Sequence, residues 1–263
     1  MKPATLILAC FLLITLSALP TTAQQNGNRT PAMFVGLDHA DYDYAHTTKS
    51  ENYMGAPEKE VVRWINLARV NGPLFAASVL LVHRPDSSHP AVASLLHHLR
   101  SLKPMEPLQP QYQLYKSATA HASDLGFSGR QGTESSNGQP YYDRIHQYVP
   151  GAPRYAEVVN AGTNTPLDIA LALLMDARDE ERLTRRALLS QKLQMVGCSI
   201  RPHRSQCYIT VIDMVAQQVA RRSNMPELAM DQNAKKEHYG WAHCPKGSKV
   251  APVKAKKRSF WSF

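Results

Sequence analysis

Apolar positions recur at helical spacing through much of the chain. From Pro57 onward, Val61, Trp64, Ile65 and Ala68, with Leu67 beside Val70, repeat at three and four residues and predict a helix that Asn71-Gly72-Pro73 interrupts. Pro57 suits its first turn, where Glu58 and Glu60 meet the positive end of the dipole. Val92, Leu95, Leu96 and Leu99 form a second stripe, closed by a Pro-rich connector from Pro104 to Pro110. Leu114, Ala118, Ala122 and Leu125 predict a third helix with His121 on the same face. Thr165 reads as an N-cap with Pro166 at the first helical position, and Leu167, Ala170, Leu171 and Leu174 give that helix its buried side.

Between these helices the pattern changes. Gly126, Gly129, Gly132 and Asn137-Gly138 predict a turning loop, and Pro140 opens a short helix, YYDRIHQY. The segment carrying Glu157 reads as a strand that Asn160-Ala161-Gly162 ends. QMVGCSI and CYITVIDM read as two further strands joined by the polar turn RPHRSQ. Helices and strands together give an α/β class, and 263 residues with 43% apolar content bury one sizeable core.

The ends of the chain differ in composition. Lys2, the apolar run LILACFLLITLSAL and Thr21-Thr22-Ala23 predict a cleaved signal peptide over 1–23. The run is shorter than the roughly 20 residues of a spanning helix, and Cys10 interrupts it rather than following it as a lipid attachment would. A secreted or periplasmic location is therefore expected. Residues 24–56 are expected to form a polar extension: Asn28-Arg29-Thr30 fits a glycosylation acceptor, and Asp38, His39, Asp41, Asp43 and His46 read as a solvated loop, with cation binding the competing reading.

Charge is concentrated in the last segment. Residues 218–263 hold ten Lys/Arg against three acids, a net +7 out of +9 for the whole chain. The basic tail over 217–263 ends in Phe260, Trp261 and Phe263; such a tail offers contact with an anionic surface, and a solvated extension is the competing reading. Nucleic acid is excluded as a partner because the protein is expected to be exported. After signal removal three cysteines remain. The two-strand hairpin predicts a Cys198–Cys207 disulfide, leaving Cys244 as a free thiol or an intermolecular partner.

Three stretches have an order and spacing that carry more. HASDLGFSGRQGTESSNGQPYYDRI at 121–145, AEVVNAG at 156–162, and LLMDARDEERLTRRALLSQKLQMVGCSI at 173–200 running into CYITVIDM at 207–214 resemble the CAP superfamily of cysteine-rich secretory and pathogenesis-related proteins in its bacterial form. EVVRWINLARVNGPLFAASVL is similar to the opening helix of bacterial CAP domains, so the resemblance covers about 57–216. It implies a three-layer α-β-α sandwich of the CAP/SCP type. It also matches His121 to the family's HA-containing helix, Asp143 and Arg144 to its DR pair, Glu157 to its GEN motif, and Asp176 loosely to an acidic position. Arg144 is read as structural, a guanidinium fork holding a carboxylate or carbonyls.

The departures from the family bear on chemistry. Its two cleft imidazoles, linked to metal binding, fall by this comparison on Thr133 and on Thr184, directly before Arg185. Neutral hydroxyls are weak Zn²⁺ ligands, so no metal and no cofactor is expected in a cleft of Thr133, Glu157, Asp176, Thr184 and His121. His238, His243 and Cys244 offer donors for a second cation site, with no fourth ligand evident. No GxSxG elbow or HExxH motif is present, and a Ser or Thr nucleophile would need His121 or His146 swung into the cleft as its base. The expected function is a non-catalytic binding module for a lipid, sterol, glycan or protein. A secreted hydrolase using Glu157 and a substitute His is the alternative.

Overall fold

The computed structural model describes residues 39–217. The signal segment, Asp38, the glycosylation triplet, the His238–Cys244 segment and the basic tail lie outside them. The chain begins with α1 (His39–Tyr44) and α2 (Ala56–Val70). It continues through α3 (Gly72–Phe75), a π-helical segment Ala76–Leu80, α4 (Leu81–His83) and α5 (Pro90–Ser101). Then follow β1 (Gln109–Pro110), α6 (Tyr112–Ser128), α7 (Tyr141–Tyr148), β2 (Tyr155–Ala161), α8 (Pro166–Met175) and α9 (Leu183–Leu188). β3 (Met195–His203) and β4 (Cys207–Val215) close the fold.

Local chemistry sets the breaks. Asn71 ends α2, and its side chain accepts from Leu74 N at 3.1 Å to cap α3, with Pro73 in the new first turn. Glu58 reaches back to Gly55 N at 2.7 Å to start α2, and also accepts from Ile200 N at 2.9 Å, pinning that helix to β3. α6 stops at Gly129, whose φ of 74° is a left-handed position that suits glycine. Thr165 accepts from Asp168 N at 3.2 Å and caps α8 as its sequence predicts.

The sheet runs in the order β1-β3-β4-β2, parallel between β1 and β3 and antiparallel elsewhere. Alternate residues face opposite layers. Ala156, Val158, Val196, Cys198, Ile200, Tyr208, Ile212 and Met214 join the larger core with α2, α5, α8 and α9. Ile209 and Val211 pack instead on Ala118, Ala122 and Leu125 of α6, and Val215 packs on Leu114 of α6 and Ile145 of α7. The molecule is thus a three-layer α-β-α sandwich. Because both faces of the sheet are covered, β3 and β4 read as nearly continuous apolar runs. α6 approaches the sheet closely: a Cβ on Gly197 would lie 2.2 Å from the backbone of Leu114 and Tyr115, and one on Gly126 would lie 2.2 Å from Pro202 O.

Two expectations are corrected. Cys198 and Cys207 form no disulfide with each other: Cys198 is a free, fully buried thiol opposite Ile212, whereas Cys207 stands opposite His203 at the turn. At about 3.3 Å per residue the five positions between Cys198 and His203 put the two cysteines roughly 16 Å apart, beyond the ~7 Å that a disulfide spans. The solvated loop expected before Pro57 is, over its described part, packed on the core. Ala45, Thr48 and Met54 are buried, Asn66 Nδ2 donates to Ala45 O at 3.1 Å, and the Arg63 guanidinium stacks 3.0 Å over the Tyr42 ring. Polar composition hid this segment because its anchors are small or amphipathic side chains.

Candidate functional site

The period of two along β2 places Glu157 on the α6 side, between Ala156 and Val158, which face the larger core. Asp213 occupies the same phase of β4, and the antiparallel register sets the two acids directly opposite each other. α6 supplies His121 and Ser117 above them, and α7 supplies Arg144. His121, Arg144, Glu157 and Asp213 are all buried.

The hydrogen bonds run in a chain. Arg144 donates through one Nη to Glu157 Oε2 and through the other to Ser135 Oγ at 2.7 Å. The Ser135 hydroxyl stands 3.5 Å from His121 Nδ1, and His121 Nε2 stands 3.1 Å from Gly132 O. This assigns Nε2–H as the donor to Gly132 and Nδ1 as the acceptor from Ser135. Glu157 Oε1 is 3.4 Å from the same Nε2, whose proton is engaged by Gly132. The loop over 129–139 is tied down further by Ser136 N donating to Asp124 at 2.7 Å and by Arg130 donating to Ser136 O at 2.9 Å.

Burial dominates the electrostatics. It pushes the His121 imidazole down to about 4, assisted by the Arg144 charge, so the ring is neutral at pH 7. Glu157 is pushed well up by burial and then by the neighbouring Asp213 charge, and burial raises Asp213 to about 6. Arg144 is the cation that faces this pair.

The other expected cleft residues lie elsewhere. Thr133 is exposed on the loop. Asp176 sits at the C-cap of α8 with φ 47°, and its carboxylate accepts from Arg185 N at 3.3 Å to cap α9. Thr184 is on α9, partly buried, and its backbone also donates to Asp176. The buried Arg185 side chain donates to Leu174 O, to Met175 O at 2.7 Å and to Ser94 Oγ at 2.9 Å, filling the carbonyl end of α8. α8 and α9 cover the sheet face opposite α6, so Asp176 and Thr184 make no hydrogen bond or ion pair with the His121 cluster among the described residues. The structure therefore brings His121, Arg144 and Glu157 together and leaves Thr133, Asp176 and Thr184 apart.

A metal linked to the family's imidazoles does not fit these residues. Thr133 and Thr184 are on different layers, Glu157 is engaged by Arg144, and the His121 Nε2 proton points at a carbonyl. Among the described residues, no group of three or more His, Cys, Asp or Glu side chains could hold an ion. Sequence reasoning missed Asp213, Ser117 and Ser135. The available signal was Asp213 itself, the lone acid in CYITVIDM, because a charge inside a strand covered on both faces must have a partner.

Residues 94–214, from α5 to β4, match the family described as CAP, the cysteine-rich secretory protein family. Among solved structures, the chain is similar to an outer surface protein from Borrelia burgdorferi, at 18% identity and a TM-score of 0.38, over 43% of this chain and 80% of that one. It is also similar to an extracellular protein containing a SCP domain from Bacillus anthracis strain Ames, at 14% identity and a TM-score of 0.40, over 61% of this chain and 40% of that one. No curated protein matches. With the DR arginine on α7, the Glu of β2 and the closing hairpin all inside the matched span, residues 94–214 of this chain are a CAP domain.

Proposed function

We propose that this is an exported CAP-domain binding protein that does not turn over substrate and whose metal site is degenerate. The observation that supports it is Glu157: its carboxyl group is buried, engaged by Arg144 and roofed by His121, so it is closed to substrate as a base and to an ion as a ligand. A general base must reach the proton it removes and a ligand must reach its ion, and a carboxyl buried beneath His121 and Arg144 is open to neither. Export rests on the signal-type segment 1–23. The ligand is a lipid, sterol, glycan or protein, with the basic tail as a second contact surface on an anionic partner. On the α6–α7 side the exposed side chains Phe127 and Tyr142, at 88% and 52%, give the apolar contact area for such a ligand.

The test combines three measurements on the protein purified from its own host. Native mass spectrometry is expected to show a retained non-covalent ligand. Isothermal titration with Zn²⁺ is expected to show no binding at micromolar concentrations. A panel of peptide, ester and glycan substrates is expected to show no turnover. Turnover that Glu157→Gln abolishes, or micromolar Zn²⁺ binding that the same substitution removes, would overturn the reading in favour of a hydrolase or a metal site.

A further inference from the structure

We infer that Glu157 and Asp213 share a single proton at neutral pH, and that this shared proton is a pH-sensitive lock holding β2 and β4 against α6 and α7. The two carboxyls are a directly opposed cross-strand pair on the covered side of the sheet. Two carboxylates at this spacing repel, and nothing in the layer solvates both.

Asp213 is fully buried, and neither of its oxygens has a donor in hydrogen-bond geometry among the described residues; Glu157 Oε1 is in the same position. Its polar neighbours are Glu157 and the Ser117 hydroxyl. Orphaned buried acceptors of this kind are costly. A proton between the two acids makes one of them a donor and satisfies both. It also balances charge, since Arg144 then faces one carboxylate instead of two.

The groups around the pair leave few other ways to titrate. From α6 come Ser117 and His121, and the imidazole stays neutral above about pH 4. From α7 come the Arg144 cation and Tyr141, whose phenol is raised above its usual value by burial. β3 presents Gly197 opposite Asp213 and no side chain. On the far side of the sheet, Cys198 is a buried thiol raised well above its usual value, so it stays uncharged. The shared proton is the one in this layer that neutral-to-alkaline pH can remove.

The sign follows from linkage. Unfolded carboxyls titrate near pH 4, whereas burial and the opposed Asp213 charge hold the Glu157 carboxyl well above that range, so between the two the folded state binds more protons and stability falls as pH rises. One proton retained only by the folded state changes the folding equilibrium about tenfold per pH unit. Asp213→Asn leaves Glu157 as a lone carboxylate facing Arg144 and removes this dependence.

The experiment is urea denaturation of wild type and Asp213→Asn from pH 6.5 to 8, where comparing the two cancels every other titrating group. The ratio of their folding constants is expected to shift about tenfold per pH unit in favour of the variant. Infrared spectroscopy of the wild type at pH 7 is expected to show the carbonyl stretch of a buried protonated carboxyl, absent from both Asp213→Asn and Glu157→Gln. A pH-independent ratio, or a wild-type spectrum without that band, would overturn the proposal. The wild-type spectrum decides the matter even if a variant fails to fold.

Discussion

Gly197→Ala tests how α6 is seated on the sheet. The added methyl would lie 2.2 Å from the backbone carbon of Leu114 and the backbone nitrogen of Tyr115, and 2.6 Å from Leu114 O, whereas ordinary contact begins at 3.4 Å. All three atoms are backbone, so no side chain can rotate away; α6 must retreat by roughly 1 Å or the β3–β4 hairpin must bend. A gap of that size forfeits a quarter to a half of the dispersion attraction at each contact beneath the helix. Leu114, Ala118, Ala122 and Leu125 all make such contacts. Overpacking against a rigid backbone costs about 3 kcal/mol, and the reduced freedom of the unfolded chain returns at most about 1 kcal/mol. The net loss is about 2 kcal/mol or more, read by urea denaturation at pH 7 as a lower midpoint with an unchanged slope. Gly55→Ala is the control, because its methyl would meet nothing closer than 3.5 Å, and it should lose less than about 1 kcal/mol. A Gly197→Ala protein within about 0.5 kcal/mol of wild type would refute the close seating of α6.

Other outcomes follow from the same structure. Arg69 is buried, has no carboxylate partner among the described residues, and donates to the carbonyls of Glu106, Leu188, Ser190 and Leu193, so Arg69→Met orphans four acceptors and should cost about 4 kcal/mol or more in chemical denaturation. Thr165→Ala removes the cap of α8 and should cost about 1 kcal/mol; no change in melting temperature would rule out the cap. The Cys198 thiol, buried and uncharged, should react with a thiol reagent only at the rate of global unfolding, as peptide mapping of the labelled protein would show; rapid labelling of the native state would contradict its placement. His121 has a folded value lowered to about 4 against about 6.5 unfolded, so it contributes stability above pH 6.5 that is lost as pH falls towards 4. In Asp213→Asn, where the opposing carboxyl pair is gone, stability should therefore rise from pH 4 to 6.5; a flat curve there would contradict a neutral, buried His121.

The α2, α5, α6 and α8 helices were legible because each has an apolar stripe at helical period and a recognisable cap or Pro-Gly break. The DR and GEN positions of the resemblance pointed to Arg144 and Glu157, which the structure joins in an ion pair. The segment 39–56 was not legible, because Ala45 and Thr48 reach burial through hydrogen bonds to α2, from Asn66 Nδ2 to Ala45 O and from the Thr48 hydroxyl to Lys59 O, that no periodicity announces. The disulfide expectation failed at the turn. β3 extends to His203, so the hairpin closes over Arg204–Gln206 alone, and the strand register separates the two cysteines.

By itself, the sequence determined which segments become helices and strands, where they stop, and which family they resemble, because hydrophobic period, caps and glycines act within a few residues of one another. Only the tertiary structure decided what the polar residues do. Sheet register put Asp213 opposite Glu157, the covered faces made both burials costly enough to demand Arg144 and a shared proton, and the sheet itself separated Asp176 and Thr184 from His121. Those relations depend on which strands pair and which face each side chain takes, and a one-residue slip in register would reverse them.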